Sequence, residues 1–294
     1  MTLNDISTTL ADVVDKASQS VFSVHARRSY PLSGTAWTES LIVTTNRAVE
    51  TTDIKLSDAH GDTLSASLVG RDPRRDLAIL KVEDEVKPLS SLALQDLKIG
   101  QIALRLGRSG KHLRATLGII SGVTDKGMGR MRAGKQPFVL SDAASFPGFS
   151  GGPLLSSGAK VMGLGTASFS RDDSAAITTE SIDKVASSLL EHGRIRRGYV
   201  GISGQPIKLP KDLASELEQR AGLLLMSVEP DSPAAKAGLV LGDTLLSLNS
   251  EKLYHASHLL DQLDDSLIDK TAELSVLRSG EVKTFEITIG EKKE

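Results

Sequence analysis

A serine sits inside a tight glycine turn at Gly148-Phe149-Ser150-Gly151-Gly152-Pro153. Such a turn exposes a hydroxyl while nearby backbone N–H groups converge on one point, and the amides of Gly148 and Ser150 are the pair placed to stabilise an oxyanion there. Read alone, a Gly/Ser/Pro run is also an ordinary turn. The chain has no cysteine, so disulfides, thiolate metal sites and cysteine nucleophiles are excluded and any chemistry must use hydroxyl, imidazole, carboxylate or amine. No His, Asp or Glu pair shows ligand spacing on one expected helix or hairpin, so neither a metal nor another cofactor is expected.

The elements that must hold this turn are short strands. Ile6, Leu10, Val13, Val14 and Ala17 recur at helical spacing and give way to the extended Val21 to Val24. From there to about Ile177 the chain reads as all-β. Runs such as Leu41 to Thr44, Leu64 to Val69, Leu77 to Val82, Ile102 to Leu106, Ala115 to Val123 and Val161 to Leu164 are separated by glycine- and aspartate-rich turns. Many short strands without intervening helices fit two small barrels packed together. A helical stripe from Ile182 to Leu190 ends near Gly193 and closes this domain, 1–193. After a linker at 194–197, residues 198–294 read as a compact mixed α/β module. In it Ser232 suits an N-cap, Pro233 a first turn and Gly238 a C-terminal cap.

With these segments in order, the chain resembles the HtrA (DegP-like) family, trypsin-fold serine proteases with a C-terminal PDZ domain. Leu41-Ile42-Val43-Thr44-Thr45-Asn46-Arg47-Ala48-Val49 resembles the family's histidine segment, and Leu68 to Leu80 its aspartate segment. Ser141 to Pro153 resembles its nucleophile segment, while Arg196 to Ile202 and Glu229 to Leu239 resemble the start and an internal turn of its PDZ domain. The resemblance implies a mainly β fold, a chymotrypsin/trypsin-like double β-barrel followed by a mixed α/β PDZ domain. It makes Ser150 the nucleophile position, Asp76 the orienting carboxylate, and Gly148 with Ser150 the oxyanion-hole backbone.

The base position falls on Arg47 instead of histidine. A neutral imidazole takes the serine proton and later returns it to the leaving group. A guanidinium has no acceptor lone pair and stays protonated, so Arg47 cannot do this. The histidines, His25, His60, His112, His192, His255 and His258, all lie outside the Thr44-Thr45-Asn46 segment, and His25 is the least remote by strand logic. Arg47 beside Asp76 reads as a charged pair filling the old slot, as a pair that locks the cleft shut, or as a fixed positive charge facing a bound peptide carboxylate. Phe149 replaces a small polar residue and is expected to crowd the leaving-group side of the cleft. The cleft walls expected from Ala144-Ser145-Phe146 and Gly163 to Ala167 carry no carboxylate for a basic side chain, and the resemblance to the family implies preference for a modest apolar one.

The module after Arg197 keeps its implied binding features. Tyr199, Val200, Gly201 and Ile202 would offer backbone N–H groups to a peptide C-terminal carboxylate, the next strand would accept the peptide as an added strand, and His258, Leu259 and Leu260 would flank the groove. At 294 residues, 39% hydrophobic and 24% charged with a net charge of -2, the composition is that of a folded, soluble chain with no pull toward nucleic acid. The basic loop Lys126 to Lys135 lacks interleaved aromatics and reads as a solvated surface. No run is long and apolar enough to span a bilayer. The opening residues show no signal peptide, which gives a cytoplasmic expectation as supplied, or a periplasmic or secreted one if a leader was trimmed. The expected function is an HtrA-like pseudoprotease binding peptide C-termini or unfolded segments. The alternatives are an active endopeptidase of protein quality control with a base from elsewhere, and a non-catalytic subunit of a mixed oligomer. The family implies homo- or hetero-trimers built through the N-terminal region, where Phe22 is the only aromatic.

Overall fold

The structure is a computed structural model that describes residues 2–124, 136–169 and 175–292; the basic loop at 126–135 lies outside them. By internal contacts the chain divides into two compact units, Met1–Ile195 and Arg196–Glu294.

The first unit opens with helix α1, Leu3–Ser18. Thr2 and Asp5 cap it reciprocally: the Thr2 hydroxyl accepts from the Asp5 amide at 3.2 Å, and the Asp5 carboxylate accepts from the Thr2 amide at 2.7 Å. Two closed antiparallel barrels follow. The first is formed by β1 (Val21–His25), β2 (Leu32–Thr38), β3 (Leu41–Thr44), β4 (Ile54–Ser57), β5 (Thr63–Asp72) and β6 (Leu77–Val82), in spatial order 1-2-3-6-5-4. The second is formed by β7 (Ile102–Ser109), β8 (His112–Thr124), β9 (Phe138–Ser141), β10 (Pro153–Ser156), β11 (Val161–Gly165) and β12 (Ala175–Ile177), in order 10-11-12-9-8-7.

Phe22, Val24, Ile42, Ile54, Leu56 and Leu80 fill the first barrel. Phe22 is therefore core, and not a surface aromatic available to another subunit. Ala103, Ile120, Val139, Leu154, Met162 and Ala176 form the core of the second. A third cluster joins the two: Leu41, Val43, Leu77 and Ile79 meet Phe138, Leu164 and Ile177, sealed by Ile182, Val185 and Leu189 of α2, Thr179–His192. Each such side chain, fully buried, is worth roughly 1.5–3 kcal/mol, so the interface between the barrels is as firmly held as either interior. That matters because the nucleophile loop comes from the second barrel and the Arg47 and Asp76 segments from the first.

The second unit contains β13 (Gly198–Tyr199), β14 (Ile202–Lys208), α3 (Lys211–Glu216), β15 (Ala221–Val228), α4 (Pro233–Lys236), β16 (Thr244–Leu248), β17 (Glu251–Lys252), α5 (Ala256–Gln262), β18 (Thr271–Arg278), β19 (Glu281–Thr288) and β20 (Gly290–Glu291). Its main sheet runs 14-15-16-18-19, with β17 on β16, and β13 pairs with β20. Ser232 caps α4 through its hydroxyl, with Pro233 in the first turn, and Leu223, Leu225, Leu245, Leu259, Leu263 and Ile287 share the core.

Candidate active site and peptide groove

The nucleophile loop fills the gap between β9 and β10, and β2 of the other barrel straps it down. The Ser33 hydroxyl donates to the Gly148 carbonyl at 2.6 Å, the Ser33 amide to the Ser150 carbonyl at 3.0 Å, and the Thr35 hydroxyl to the Gly151 carbonyl at 2.9 Å. From the other side, the Gly151 amide donates to the Gly165 carbonyl at 2.8 Å. Gly148 and Gly151 have φ of 98° and 88°, which side chains resist. A Cβ on Gly151 would also lie 2.0 Å from the Ser33 carbonyl oxygen. Within the loop the Phe149 amide is taken by the Phe146 carbonyl at 3.0 Å. The amides of Gly148 and Ser150 donate to no acceptor among the described residues. Ser150 is 8% exposed and its hydroxyl likewise makes no hydrogen bond among them.

Asp76 precedes β6 with φ of 52°, a left-handed conformation that aspartate tolerates better than most residues. Its Oδ2 accepts from the Thr166 hydroxyl at 2.7 Å and the Ser168 hydroxyl at 2.6 Å, and its Oδ1 from the Arg47 amide at 3.4 Å. The Asn46 amide donates to the Asp76 carbonyl at 3.1 Å. Asp76 and the backbone of Arg47 are thus adjacent. Contrary to the expected charged pair, the Arg47 guanidinium makes no ion pair with Asp76 and stays exposed. Two hydroxyls already satisfy Oδ2 inside a nearly buried site, and leaving the guanidinium hydrated avoids a desolvation cost of several kcal/mol.

None of the histidines hydrogen-bonds Ser150 among the described contacts. The ring of His25 meets the Ser57 hydroxyl at 3.1 Å, and burial lowers its pKa from the ordinary value. Phe149 is also not where the sequence placed it. It is 1% exposed and packed so closely on Gly107 that a Cβ there would lie 2.5 Å from its ring. Phe146 meets it edge-on at 5.7 Å, and the Arg114 guanidinium lies 4.3 Å over the Phe146 ring.

Sequence reasoning missed Arg105. It is 1% exposed, and its Nη1 lies 2.9 Å from where a Cβ of Gly165 would stand. A guanidinium therefore backs the wall expected to be apolar. The available signal was an arginine on β7 at the same alternation as Ala103 and Gly107, within Ile102-Ala103-Leu104-Arg105-Leu106.

In the second unit, Gly201 has φ of 77°, and a Cβ there would lie 2.2 Å from that of Ser232. Its carbonyl accepts from the Glu229 amide at 2.8 Å, and that of Val200 from the Ala234 amide at 2.9 Å. The amides of Val200 and Gly201 have no acceptor among the described residues. The Tyr199 hydroxyl donates to the Glu229 carboxylate, and that bond, then burial, raises its pKa above the ordinary phenol value. Ile202 begins β14, which lies beside α5. Along α5, Leu259 is buried in the core and not at the groove edge, whereas Leu260 is 49% exposed one turn after Ala256. His258 is half-buried, its ring edge-on to Tyr254 and His255 at 5.7 and 5.5 Å. Among the described residues there is no cluster of three or more metal-ligating side chains, and no helix is long and apolar enough to cross a membrane.

Comparison with known proteins matches residues 32–164 to the trypsin-like peptidase domain and residues 198–289 to the PDZ domain. A relative described as a probable periplasmic serine endoprotease DegP-like, from Ectopseudomonas mendocina (strain ymp), is 35% identical over 264 residues, 86% of this chain and 54% of the relative. The serine protease Do-like HtrA of Bacillus subtilis (strain 168) is 32% identical over 278 residues, 87% of this chain and 62% of the relative. The chain thus spans little more than half the length of these relatives. A solved structure of the HtrA-type protease AlgW with a tripeptide superposes with a TM-score of 0.77 at 26% identity, covering 97% of each chain.

Proposed function

The chain belongs to the HtrA family, in which a trypsin-like peptidase domain carries a PDZ domain, and on that footing we propose that it binds peptide tails or unfolded segments with little or no cleavage. One observation carries the reading: among the described residues Ser150 has no hydrogen-bonded base, and the residue beside Asp76 is an exposed arginine. Loss of the base from a serine triad lowers turnover about a millionfold, near 8 kcal/mol of transition-state stabilisation. Binding does not need the base. The PDZ loop supports capture of a peptide carboxylate, with open amides at Val200 and Gly201 beside the edge of β14. Titration of C-terminal peptides against their C-terminally amidated forms tests this capture; equal affinity for both would overturn it.

A second reading, an active endopeptidase of protein quality control with a base from elsewhere, has two supports. The relatives are named a probable serine endoprotease and a serine protease, and the Gly148 and Ser150 amides meet no acceptor among the described residues, as an oxyanion site requires. Incubation with an unfolded protein substrate, with Ser150→Ala as the blank, separates the two: serine-dependent fragments would establish the second reading. For location, the cytoplasmic expectation finds no support among relatives named periplasmic, and we place the chain in the periplasm with them.

A further inference from the structure

Three donors of the nucleophile loop meet no acceptor among the described residues. The Gly148 and Ser150 amides flank a left-handed glycine turn, the arrangement in which successive N–H groups form an anion-binding concavity. The Ser150 hydroxyl is the third. The charge of Asp76 is engaged elsewhere, because the Thr166 and Ser168 hydroxyls occupy its Oδ2. Arg47 brings a positive charge to the segment beside Asp76, on an exposed side chain. Its amide bonds to Asp76 at 3.4 Å, and Thr44, three residues earlier on β3, has its hydroxyl oxygen 2.7 Å from where a Cβ of Gly151 would stand. The exposed guanidinium has no ion-pair partner among the described residues.

We propose that this centre is a receptor for the C-terminal carboxylate of a peptide. A carboxylate offers two oxygens and about four lone-pair directions. One oxygen is taken by the two loop amides, and the other by the Ser150 hydroxyl and the Arg47 guanidinium. The physical argument is a change of sign. A trypsin-fold cleft that hydrolyses a peptide ends with a carboxylate at this point, and a neutral imidazole beside the Asp76 carboxylate leaves that product facing a net negative charge. With arginine in that position, the same donors face a compensated charge, so the centre retains a carboxylate that a working site releases. The proposal rests on the binding reading above and names the ligand group of the cleft, as distinct from that of the PDZ loop.

The test is an NMR titration of the full chain, labelled with nitrogen-15, with one apolar hexapeptide as the free acid and as the C-terminal amide. Both domains are expected to take C-termini, so the amide resonances of Gly148 and Ser150 report the cleft and that of Gly201 reports the PDZ loop. The free acid is expected to shift Gly148 and Ser150 saturably, and the amidated peptide to leave them unmoved. Arg47→Gln should weaken the cleft titration about tenfold, as loss of a charge-assisted bond does, while the affinity read at Gly201 stays within about twofold. Equal response of Gly148 and Ser150 to both peptides, or a cleft titration unchanged by Arg47→Gln, would overturn the proposal. Mass spectrometry of the recovered peptide checks the underlying reading separately: a cleaved peptide refutes binding without turnover, whatever the resonances do.

Discussion

Replacing Ser33 by alanine removes one hydroxyl and should loosen the nucleophile loop from a distance of more than a hundred residues in sequence. The hydroxyl of this fully buried residue donates to the Gly148 carbonyl at 2.6 Å and accepts from the Arg108 amide at 2.8 Å. Ser33→Ala leaves a carbonyl and an amide in a buried site with no partner. Each such orphan costs about 1–3 kcal/mol, so the expected loss is ~3 kcal/mol when the backbone relaxes in part. For a unit of this size 1 kcal/mol corresponds to roughly 2–4 °C, and the melting temperature of the barrel unit should fall by about 6–12 °C. Differential scanning calorimetry is the assay, with the transition of the PDZ unit as an internal standard that should not move. A fall below about 2 °C, or an equal fall in both transitions, would refute the claim that this hydroxyl fastens the loop.

Other outcomes follow from the PDZ unit. Gly201→Ala should abolish capture of C-terminal peptides, because a Cβ at φ of 77° would meet the Cβ of Ser232 at 2.2 Å; fluorescence polarisation with a labelled peptide measures it. The Asp243 carboxylate is opposed by burial, which raises its pKa, but the two-pronged pair with Arg278 at 2.7 Å and the Val240 amide outweigh that and leave the pKa lowered. Its contribution to stability is therefore present above the unfolded carboxylate value of about 4 and is lost as pH falls through that value toward the folded one. The PDZ transition, followed by calorimetry between pH 6 and 3 (roughly the carboxylate range), should drop at the acid end, and Arg278→Gln should flatten the drop.

What the sequence disclosed was mostly local. The glycine turn around Ser150, the strand alternation of the barrels and the Val200-Gly201-Ile202 loop all depend on residues within a few positions of one another, so their types alone constrain the backbone. Contacts across the chain were not legible. Nothing near Gly148 announces that Ser33 and Thr35 hold its loop, and nothing near Asp76 announces Thr166 and Ser168, which lie about ninety residues on. Those two hydroxyls, and not the Arg47 guanidinium, are the side-chain partners of Asp76. Phe149 was placed in the cleft because the turn was read without its neighbours, and only the gap left by Gly107 on β7 explains its burial. Arg105 was overlooked for the same reason: an arginine in an apolar strand shows its importance only once Gly165 is seen against it.

The central claim is that Ser150 lacks an activating base because Arg47 stands in its place. The most direct measurement is the rate of covalent labelling of Ser150 by a fluorophosphonate probe, taken on the unaltered chain, on Arg47→His and on Ser150→Ala. Arg47→His is expected to label at least about a thousandfold faster than the unaltered chain, with the unaltered chain close to the Ser150→Ala blank. Rapid, Ser150-dependent labelling of the unaltered chain at the rate of Arg47→His would contradict the claim.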